Sequence, residues 1–178
     1  MKEGMNEDAI RDLLDEQAIR KVVLRYCRGI DRLDRALVRS CYHDDAHDEH
    51  GSFSGNVDAF LEWAFRIASR FDMTMHFLGN LLVEPGPVRA DGGRVARVES
   101  YGIAHHRRAG GQAGDNLLVG FRYLDRFERR DDGVWRIARR VCTTEWVRRD
   151  EESAWWPIPQ GMRTGRRDRS DPVYEPLE

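Results

Sequence analysis

The sequence predicts an α+β domain in which helices near the amino terminus pack on one face of a curved antiparallel sheet. Apolar residues recur every three or four positions up to about Leu33, and again from Val57 to Phe71, as in amphipathic helices. After Phe71 the apolar period changes to two, which is typical of strands. A strongly bent sheet wrapped over helices encloses a cone-shaped cavity that can hold one small, mostly apolar ligand.

Three helices are expected, and the first two begin at residues that commonly cap helices. Their ranges are Asn6 or Asp8 to Leu33, Asp34 to Cys41, and Val57 to Phe71. Five strands are expected at Ala46–Phe53, Thr74–Val83, Arg94–Arg107, Asn116–Arg129 and Val134–Val147. Gly133 in RRDDGVW suits a tight hairpin, because glycine tolerates a positive φ. EPGPVRADGG and RRAGGQAGD are expected to be flexible connections.

The length and charge of the chain indicate how many domains it forms and which kinds of partner it binds. Its 178 residues suit one domain, here 1–149, followed by an extended tail, 150–178, that packs on the domain or on a neighbouring subunit. The formal net charge of −2 argues against a nucleic-acid partner. No apolar run approaches the roughly 20 residues that cross a bilayer, and no signal peptide is visible, so the expected location is the cytoplasm. Cys27, Cys41 and Cys142 form no CxxC motif and are expected to be reduced.

Two ionisable residues fall on predicted apolar faces. Asp31 shares a ridge of the first helix with Val23 and Cys27, and His76 alternates with apolar neighbours in FDMTMHFLGN. Each residue alone can be structural: Asp31 can cap the following turn, and His76 can be a core histidine. A buried carboxylate and a buried imidazole each need a partner, however, and each can satisfy the other. A His–Asp pair in a dry pocket is a general base.

Other polar residues leave alternatives open. Arg140 can project into the cavity and stabilise developing negative charge, or it can lie on an outward strand face. Tyr26 can donate a hydrogen bond to a substrate oxygen, or it can fill the core. One member of the pair His105 and His106 can line the cavity, and the pattern does not say which.

The cluster HDDAHDEH contains several potential metal ligands. Strand alternation sends His47 and Glu49 to one face and Asp48 and His50 to the other, so the set does not converge on one ion. No metal is therefore predicted. Asp48 and His50 instead form a second polar spot opposite the His–Asp pair.

With these residues located, the chain resembles the SnoaL-like members of the NTF2-like superfamily. The resemblance rests on AIRKVVLRYCRGIDRLD, YHDDAHDEHGSFSG, MHFLGN and YLDRFERRDDGVWRIARR, and it spans roughly Asp8 to Arg148. It implies the cone-shaped α+β barrel, a small-molecule substrate, no cofactor, and a homo-oligomer that is a trimer or a dimer. The pattern is most similar to the branch of scytalone dehydratase, bile-acid dehydratase and hexachlorocyclohexane dehydrochlorinase.

The resemblance also implies roles for individual residues. Asp31 would orient His76, which removes a proton, and Arg140 would assist the leaving group. Tyr26 matches a tyrosine of the bile-acid dehydratase where the dehydrochlorinase has lysine, which favours loss of water or enolisation over loss of halide. The pocket residues expected from the resemblance and from strand and helix periodicity are Asp48, His50, Trp63, Val119, Phe121, Tyr123, Cys142 and Thr144.

The expected function is that of a cofactor-independent acid–base enzyme acting on a small, largely apolar substrate of polyketide, steroid or aromatic type. The first expectation is a dehydratase, which is a lyase. The alternatives are an isomerase or a cyclase in the same pocket, a non-catalytic small-molecule binder, or a β subunit that supports a larger oxygenase.

Overall fold

The computed structural model describes residues 2–108 and 116–176 of the chain. Within these described residues, three α-helices and six strands follow one another as α1, α2, β1, β2, α3, β3, β4, β5 and β6. The helices are α1 Lys2–Asp31, α2 Arg35–Arg39 and α3 Val57–Ala68. The strands are β1 Tyr42–His50, β2 Phe53–Asn56, β3 Met73–Pro85, β4 Arg94–Arg107, β5 Asn116–Arg129 and β6 Trp135–Asp150. Most of the expected connection RRAGGQAGD, residues 109–115, lies outside the described residues.

The six strands form one curved sheet in the order β2-β1-β6-β5-β4-β3. Neighbouring strands run antiparallel, except that β1 and β6 run parallel. The two edge strands, β2 and β3, do not pair with each other, so the sheet is open. The predicted α+β class, with helices on one face of a bent sheet, is confirmed, and the parallel pair is an addition to the antiparallel sheet that was expected.

The first predicted strand is in fact two strands. The chain turns back at Gly51, which has a φ of 60°, and His50 then pairs with Phe53. A positive φ at glycine suits a two-residue hairpin turn, because glycine has no side chain to clash with the backbone. The hairpin ends at Asn56, whose side chain accepts a hydrogen bond from the backbone N–H of Ala59 and so caps α3.

The junction between α1 and α2 fixes the position of Asp31. Helix α1 ends at Asp31, Leu33 takes a left-handed φ of 51°, and the backbone N–H of Asp34 donates to the carbonyl of Gly29 over 2.8 Å. A side chain on Gly29 would lie 2.5 Å from Cγ2 of Val38, so only glycine allows α2 to pack this closely. The expected cap at Asp34 is present, since its carboxylate accepts from the N–H of Leu37.

The inner face of the sheet and the apolar faces of the helices form the core. On β3 the expected alternation is observed: Thr74 is buried on the inner face, whereas Met75 and Phe77 are 48% and 65% exposed on the outer face. His76 therefore faces inward with Thr74. Among the largest side chains in the core are Tyr26, Tyr42, Phe60, Tyr123 and Phe127.

The described part of the tail contacts the domain itself. The hydroxyl of Tyr174 donates to Oδ2 of Asp34 over 2.9 Å, and Arg32 lies 3.5 Å from the carboxylate of Asp171. The segment around Asp171 therefore packs against the α1–α2 junction. In the described residues, none of the helices combines the length and the apolar character that crossing a bilayer requires.

Candidate active site

A cavity of about 260 Å³ lies between the inner face of the sheet and the helices α1 and α3. Its walls are mostly apolar, with a few polar side chains at separate places. The predicted site residues on its walls are Tyr26, His50, Trp63, His76, Val119, Phe121, Tyr123, Cys142 and Thr144. Asp31, Asp48 and Arg140 are not on its walls but lie directly behind them, as described below.

Asp31 and His76 form a close pair at one end of the cavity. Asp31 is the last residue of α1, and His76 lies near the start of β3. Nδ1 of His76 is 2.7 Å from Oδ1 of Asp31, and the backbone N–H of His76 donates to Oδ2 over 2.9 Å. The hydroxyl of Thr74 donates to Oδ1 over 3.0 Å. The carboxylate is thus buried and accepts three hydrogen bonds, as a buried charge requires.

This network assigns the protons of the pair. An ionised carboxylate only accepts hydrogen bonds, so Nδ1 of His76 carries the proton of the 2.7 Å contact. In the neutral imidazole, Nε2, on the other side of the ring, is then the unprotonated nitrogen. A histidine held in this tautomer by a carboxylate is arranged to accept a proton from a ligand.

His106 is the member of the His105–His106 pair that lines the cavity. Its ring centroid lies 6.0 Å from that of His76 and 5.0 Å from that of Phe71. Burial, together with the nearby imidazole of His76, lowers the pKa of His106 to about 4. His106 is therefore a neutral imidazole at neutral pH, beside the proposed base.

A second imidazole and carboxylate occupy another part of the site. The hydroxyl of Tyr42 donates to Oδ2 of Asp48 over 2.6 Å, and Oδ1 of Asp48 lies 3.5 Å from Nδ1 of His50. Burial alone would lower the pKa of His50, but Asp48 and Cys142 outweigh it and raise the pKa to about 9. The raised pKa favours the cationic form of His50 in the cavity wall. Asp48 was expected to face the ligand, but it is 0% exposed and lies behind His50, and neither its Oδ1 nor Nδ1 of His50 has a hydrogen-bond partner among the described residues.

Arg140 lies neither in the cavity wall nor on an outward strand face, the two placements that its sequence position allowed. Its guanidinium is 0% exposed and makes two hydrogen bonds of 2.7 Å to Asp125. It also lies between the rings of Tyr26 and Tyr123, at 4.1 and 3.9 Å from their centroids. Arg140 does face the inner side of the sheet, but the two tyrosines separate it from the cavity. Strand alternation identifies the face of a side chain and not its depth.

Tyr26 lies on the cavity wall, and its ring packs over the guanidinium of Arg140. Its ring packs edge-on against Tyr42 and Tyr123, with centroids 6.0 and 5.7 Å away. Burial raises the pKa of Tyr26 far above its usual value, although the charge of Arg140 opposes the rise. The phenol is therefore neutral at all ordinary pH values and can act only as a hydrogen-bonding group.

The histidines of HDDAHDEH have separate neighbours. Nε2 of His43 contacts the carbonyl of Glu128 at 3.0 Å, Nε2 of His47 contacts the hydroxyl of Ser54 at 3.1 Å, and His50 lines the cavity. Across residues 2–108 and 116–176, no group of three or more His, Cys, Asp or Glu side chains is placed to hold a metal ion.

Some residues of the site were missed by the sequence analysis. Thr74 supports Asp31, and Tyr42 supports Asp48. Strand alternation places Thr74 on the same face as His76, so the sequence could have predicted that Thr74 contacts the buried carboxylate of Asp31. Tyr42 gave no such signal, because β1 starts four residues before the strand that was expected.

Comparisons with known proteins agree with this architecture. A scytalone dehydratase-like protein from Novosphingobium aromaticivorans is 19% identical, with a TM-score of 0.65 over 86% of this chain and 97% of that chain. The hexachlorocyclohexane dehydrochlorinase from Novosphingobium barchaimii is 20% identical, with a TM-score of 0.66 over 85% and 99%. A protein of unknown function from Mycobacterium tuberculosis is 24% identical, with a TM-score of 0.63 over 77% and 75%. These likenesses show the fold.

No curated protein matches the sequence. The sequence does match a family, the SnoaL-like domain, over residues 11–141. This range covers most of α1, all of α3 and the strands up to the first part of β6. The resemblance inferred from the sequence is confirmed, and the chain belongs to the SnoaL-like domain family.

Proposed function

We propose that this chain is an acid–base enzyme that removes a proton from a small, largely apolar substrate and expels water, that is, a dehydratase. The observation that carries the proposal is the 2.7 Å contact between Nδ1 of His76 and Asp31 on the wall of an apolar cavity. The structural likeness to a scytalone dehydratase-like protein and to a dehydrochlorinase supports it, since both names describe eliminations.

In the proposed reaction, Nε2 of His76 takes a proton from a carbon next to a carbonyl group. Asp31 remains ionised and stabilises the imidazolium that forms, while its bond to Nδ1 keeps the ring in place. General-base catalysis of this kind contributes about 10²- to 10⁴-fold in rate. The remaining acceleration has to come from the groups that stabilise the developing negative charge.

The oxygen end of the substrate has two candidate partners. His50, whose pKa is raised by Asp48 and Cys142, can donate in its protonated form to an oxyanion or to the departing hydroxyl group. Tyr26 can donate from the same wall. Arg140 is separated from the cavity by Tyr26 and Tyr123, so we assign it to holding these rings rather than to the leaving group.

The walls of the cavity suggest the class of substrate. Apolar side chains, among them Trp63, Val119 and Phe121, line the cavity together with His50 and His76. The volume of about 260 Å³ is below the roughly 300–1,000 Å³ of pockets for drug-sized ligands. A compact aromatic or polyketide-like ring with one carbonyl and one hydroxyl group fits these walls better than a steroid.

The proposal is tested with a panel of small β-hydroxy ketones on aromatic or alicyclic rings, incubated in D₂O and followed by mass spectrometry. We expect loss of water from at least one compound with the wild-type protein. His76→Ala should abolish it, whereas His47→Ala, a change on the exposed side of β1, should not. Turnover that persists in folded His76→Ala would overturn the proposal.

The same experiment separates the alternatives. Deuterium incorporation or rearrangement without loss of water would identify an isomerase, and ring closure would identify a cyclase. A non-catalytic binder would retain a ligand in His76→Ala without turning it over in either form, and a β subunit of an oxygenase would leave every compound unchanged. The homo-oligomer, a trimer or a dimer, stays a prediction, and sedimentation analysis measures it directly.

A further inference from the structure

Arg167, in the tail after β6, makes an unusually complete set of contacts with the main body of the domain. Its Nε donates to the carbonyl of Asp31 over 3.2 Å, and its Nη1 donates to the carbonyls of Ala68 and Phe71. Its Nη2 donates to the hydroxyl of Thr74 over 3.1 Å. One guanidinium thus connects the last residue of α1, the last residue of α3 and the beginning of β3.

These contacts suit the chemistry of an arginine. The final carbonyls of a helix lack partners within the helix and carry the negative end of its dipole, so a cation placed there is favourable. A guanidinium offers five N–H donors in a fixed planar arrangement, which lets it bind several carbonyls at once. Lysine has one nitrogen and cannot reproduce the geometry.

The hydrogen bonds form a chain that points in one direction. Arg167 can only donate, so the oxygen of Thr74 accepts from it. The hydroxyl proton of Thr74 is then free to point at Oδ1 of Asp31, 3.0 Å away. Asp31 in turn accepts from Nδ1 of His76. Arg167 therefore fixes the donor that shares Oδ1 of Asp31 with the imidazole of His76.

The neighbours of Arg167 hold it in place. The carbonyl of Arg166 accepts from Nη1 of Arg32 over 3.0 Å, and the N–H of Arg166 donates to Oδ2 of the buried Asp171 over 2.6 Å. Asp171 also lies 3.5 Å from Arg32. The segment is thus fastened to the end of α1 on both sides of Arg167, and it lies beyond residues 11–141, which match the family.

We propose that Arg167 is a positioning residue of the active site, which makes the tail a functional part of the enzyme. It acts through Thr74 and through the carbonyl of Asp31 to hold the carboxylate where His76 needs it. The inference rests on the proposed function, because it concerns the same His76–Asp31 pair. If the tail were removed, the domain would still contain His76 and Asp31, but it would no longer hold them in the arrangement that catalysis needs.

The test uses the full-length protein labelled with ¹⁵N-histidine and needs no substrate. The Nδ1 proton of His76, identified by its loss in His76→Ala, should exchange slowly with solvent. In Arg167→Met we expect exchange to be about tenfold faster, the effect of weakening one net hydrogen bond. Thr74→Val should reproduce this effect. Arg163→Met is the matched control, because Arg163 pairs with Glu175 within the tail.

Unchanged exchange in folded Arg167→Met would overturn the inference. If that variant does not fold, Thr74→Val decides: faster exchange supports the chain from Arg167 to Asp31, and exchange as in the wild type overturns it. With a substrate from the panel, Arg167→Met should lower kcat while KM changes little. A failure of the proposed function is distinct, because it shows as turnover in His76→Ala and leaves the exchange measurement intact.

Discussion

His76 and His106 lie with their ring centroids 6.0 Å apart and their ring planes at 77°, in the same wall of the cavity. Two imidazolium ions at this distance would repel each other strongly in an apolar environment. The low pKa of His106, about 4, keeps this member of the pair neutral near neutral pH, so the repulsion does not arise. In the proposed mechanism His76 is the base and His106 is its neutral neighbour.

The low pKa of His106 predicts a pH-dependent stability. Between about pH 6.5 and pH 4 the unfolded chain binds a proton at this residue and the folded chain does not, so the free energy of unfolding falls as the pH falls through this window. The full loss is roughly 3 kcal/mol for a shift of this size. Urea unfolding at several pH values measures it.

The comparison of variants isolates this effect from the titration of other groups. His106→Asn should be less sensitive to acid than the wild type over the same window, because its side chain does not titrate. His105→Asn, on the opposite face of β4, is the control and should keep the slope of the wild type. An identical slope in wild type and His106→Asn would show that His106 is not held neutral.

Asp31→Asn tests whether the carboxylate of Asp31 is needed for His76 to act as the base. An amide in place of the carboxylate removes the negative charge and brings an N–H₂ group towards three donors, so it no longer fixes the tautomer of His76. We expect kcat/KM to fall by about 10²- to 10⁴-fold. The free energy of unfolding should fall by about 1–3 kcal/mol, which leaves a folded protein.

Asp34→Asn is the matched control for this change. Asp34 lies three residues further on, caps α2 and contacts Arg169 and Tyr174 of the tail, but it does not touch His76. Its substitution should change stability and leave the rate on a productive substrate almost unaltered. Equal losses of rate in both variants would mean that the rate depends on the structure at the end of α1 and not on the charge of Asp31.

Much of the fold was predictable because its periodicity is strong. The bounds of Arg94–Arg107 and Asn116–Arg129 are as predicted. In the first of these strands, buried residues alternate with more exposed ones from Arg94 to Ala104. The hairpin at Gly51 was missed, because the strands around it are polar and have no clear alternation. The parallel pairing of β1 with β6 depends on contacts distant in sequence, which local patterns do not contain.

The candidate site was predictable only in part, for similar reasons. Asp31 and His76 each interrupt an apolar face, and this local anomaly made them visible. The depth of Arg140 depends on Tyr26 and Tyr123, which come from other elements and cover it. Arg167 reaches Asp31 from 136 residues away in an irregular tail, where the sequence has no period that would indicate its neighbours.

The cysteines predict a labelling pattern. Burial raises the pKa of Cys27 to about 12 and that of Cys41 to about 11, so both thiols are protonated and inaccessible near neutral pH. Cys142 is only half-buried and lines the cavity. Iodoacetamide should therefore modify Cys142 alone in the folded protein and all three cysteines in urea, as peptide mass spectrometry would show.

This labelling also reports on the cavity. Cys142→Ser should leave the folded protein unmodified, and a ligand that occupies the site should slow the modification of Cys142 in the wild type. Rapid modification of Cys27 or Cys41 without denaturant would contradict the packing of α1 against the sheet.

Arg140 and Asp125 form a buried ion pair, and removal of one partner alone should destabilise the protein more than replacement of both. Burial raises the pKa of Asp125 even though Arg140 opposes the rise, so the carboxylate depends on its partner to stay charged. Arg140→Met should lower the free energy of unfolding by about 3–5 kcal/mol, because it leaves Asp125 buried and unpaired. Arg139→Met, beside it on the exposed face, should cost at most about 1 kcal/mol.

The double variant Arg140→Met/Asp125→Leu separates a structural role from a catalytic one. Since an apolar pair of similar volume can replace a buried ion pair with little loss, the double variant should be more stable than Arg140→Met alone. Because Tyr26 and Tyr123 separate the guanidinium from the cavity, the double variant should also retain dehydration of a productive substrate. Restored stability without activity would instead place Arg140 in contact with the reacting oxygen, and would require the two tyrosines to move apart when the substrate binds.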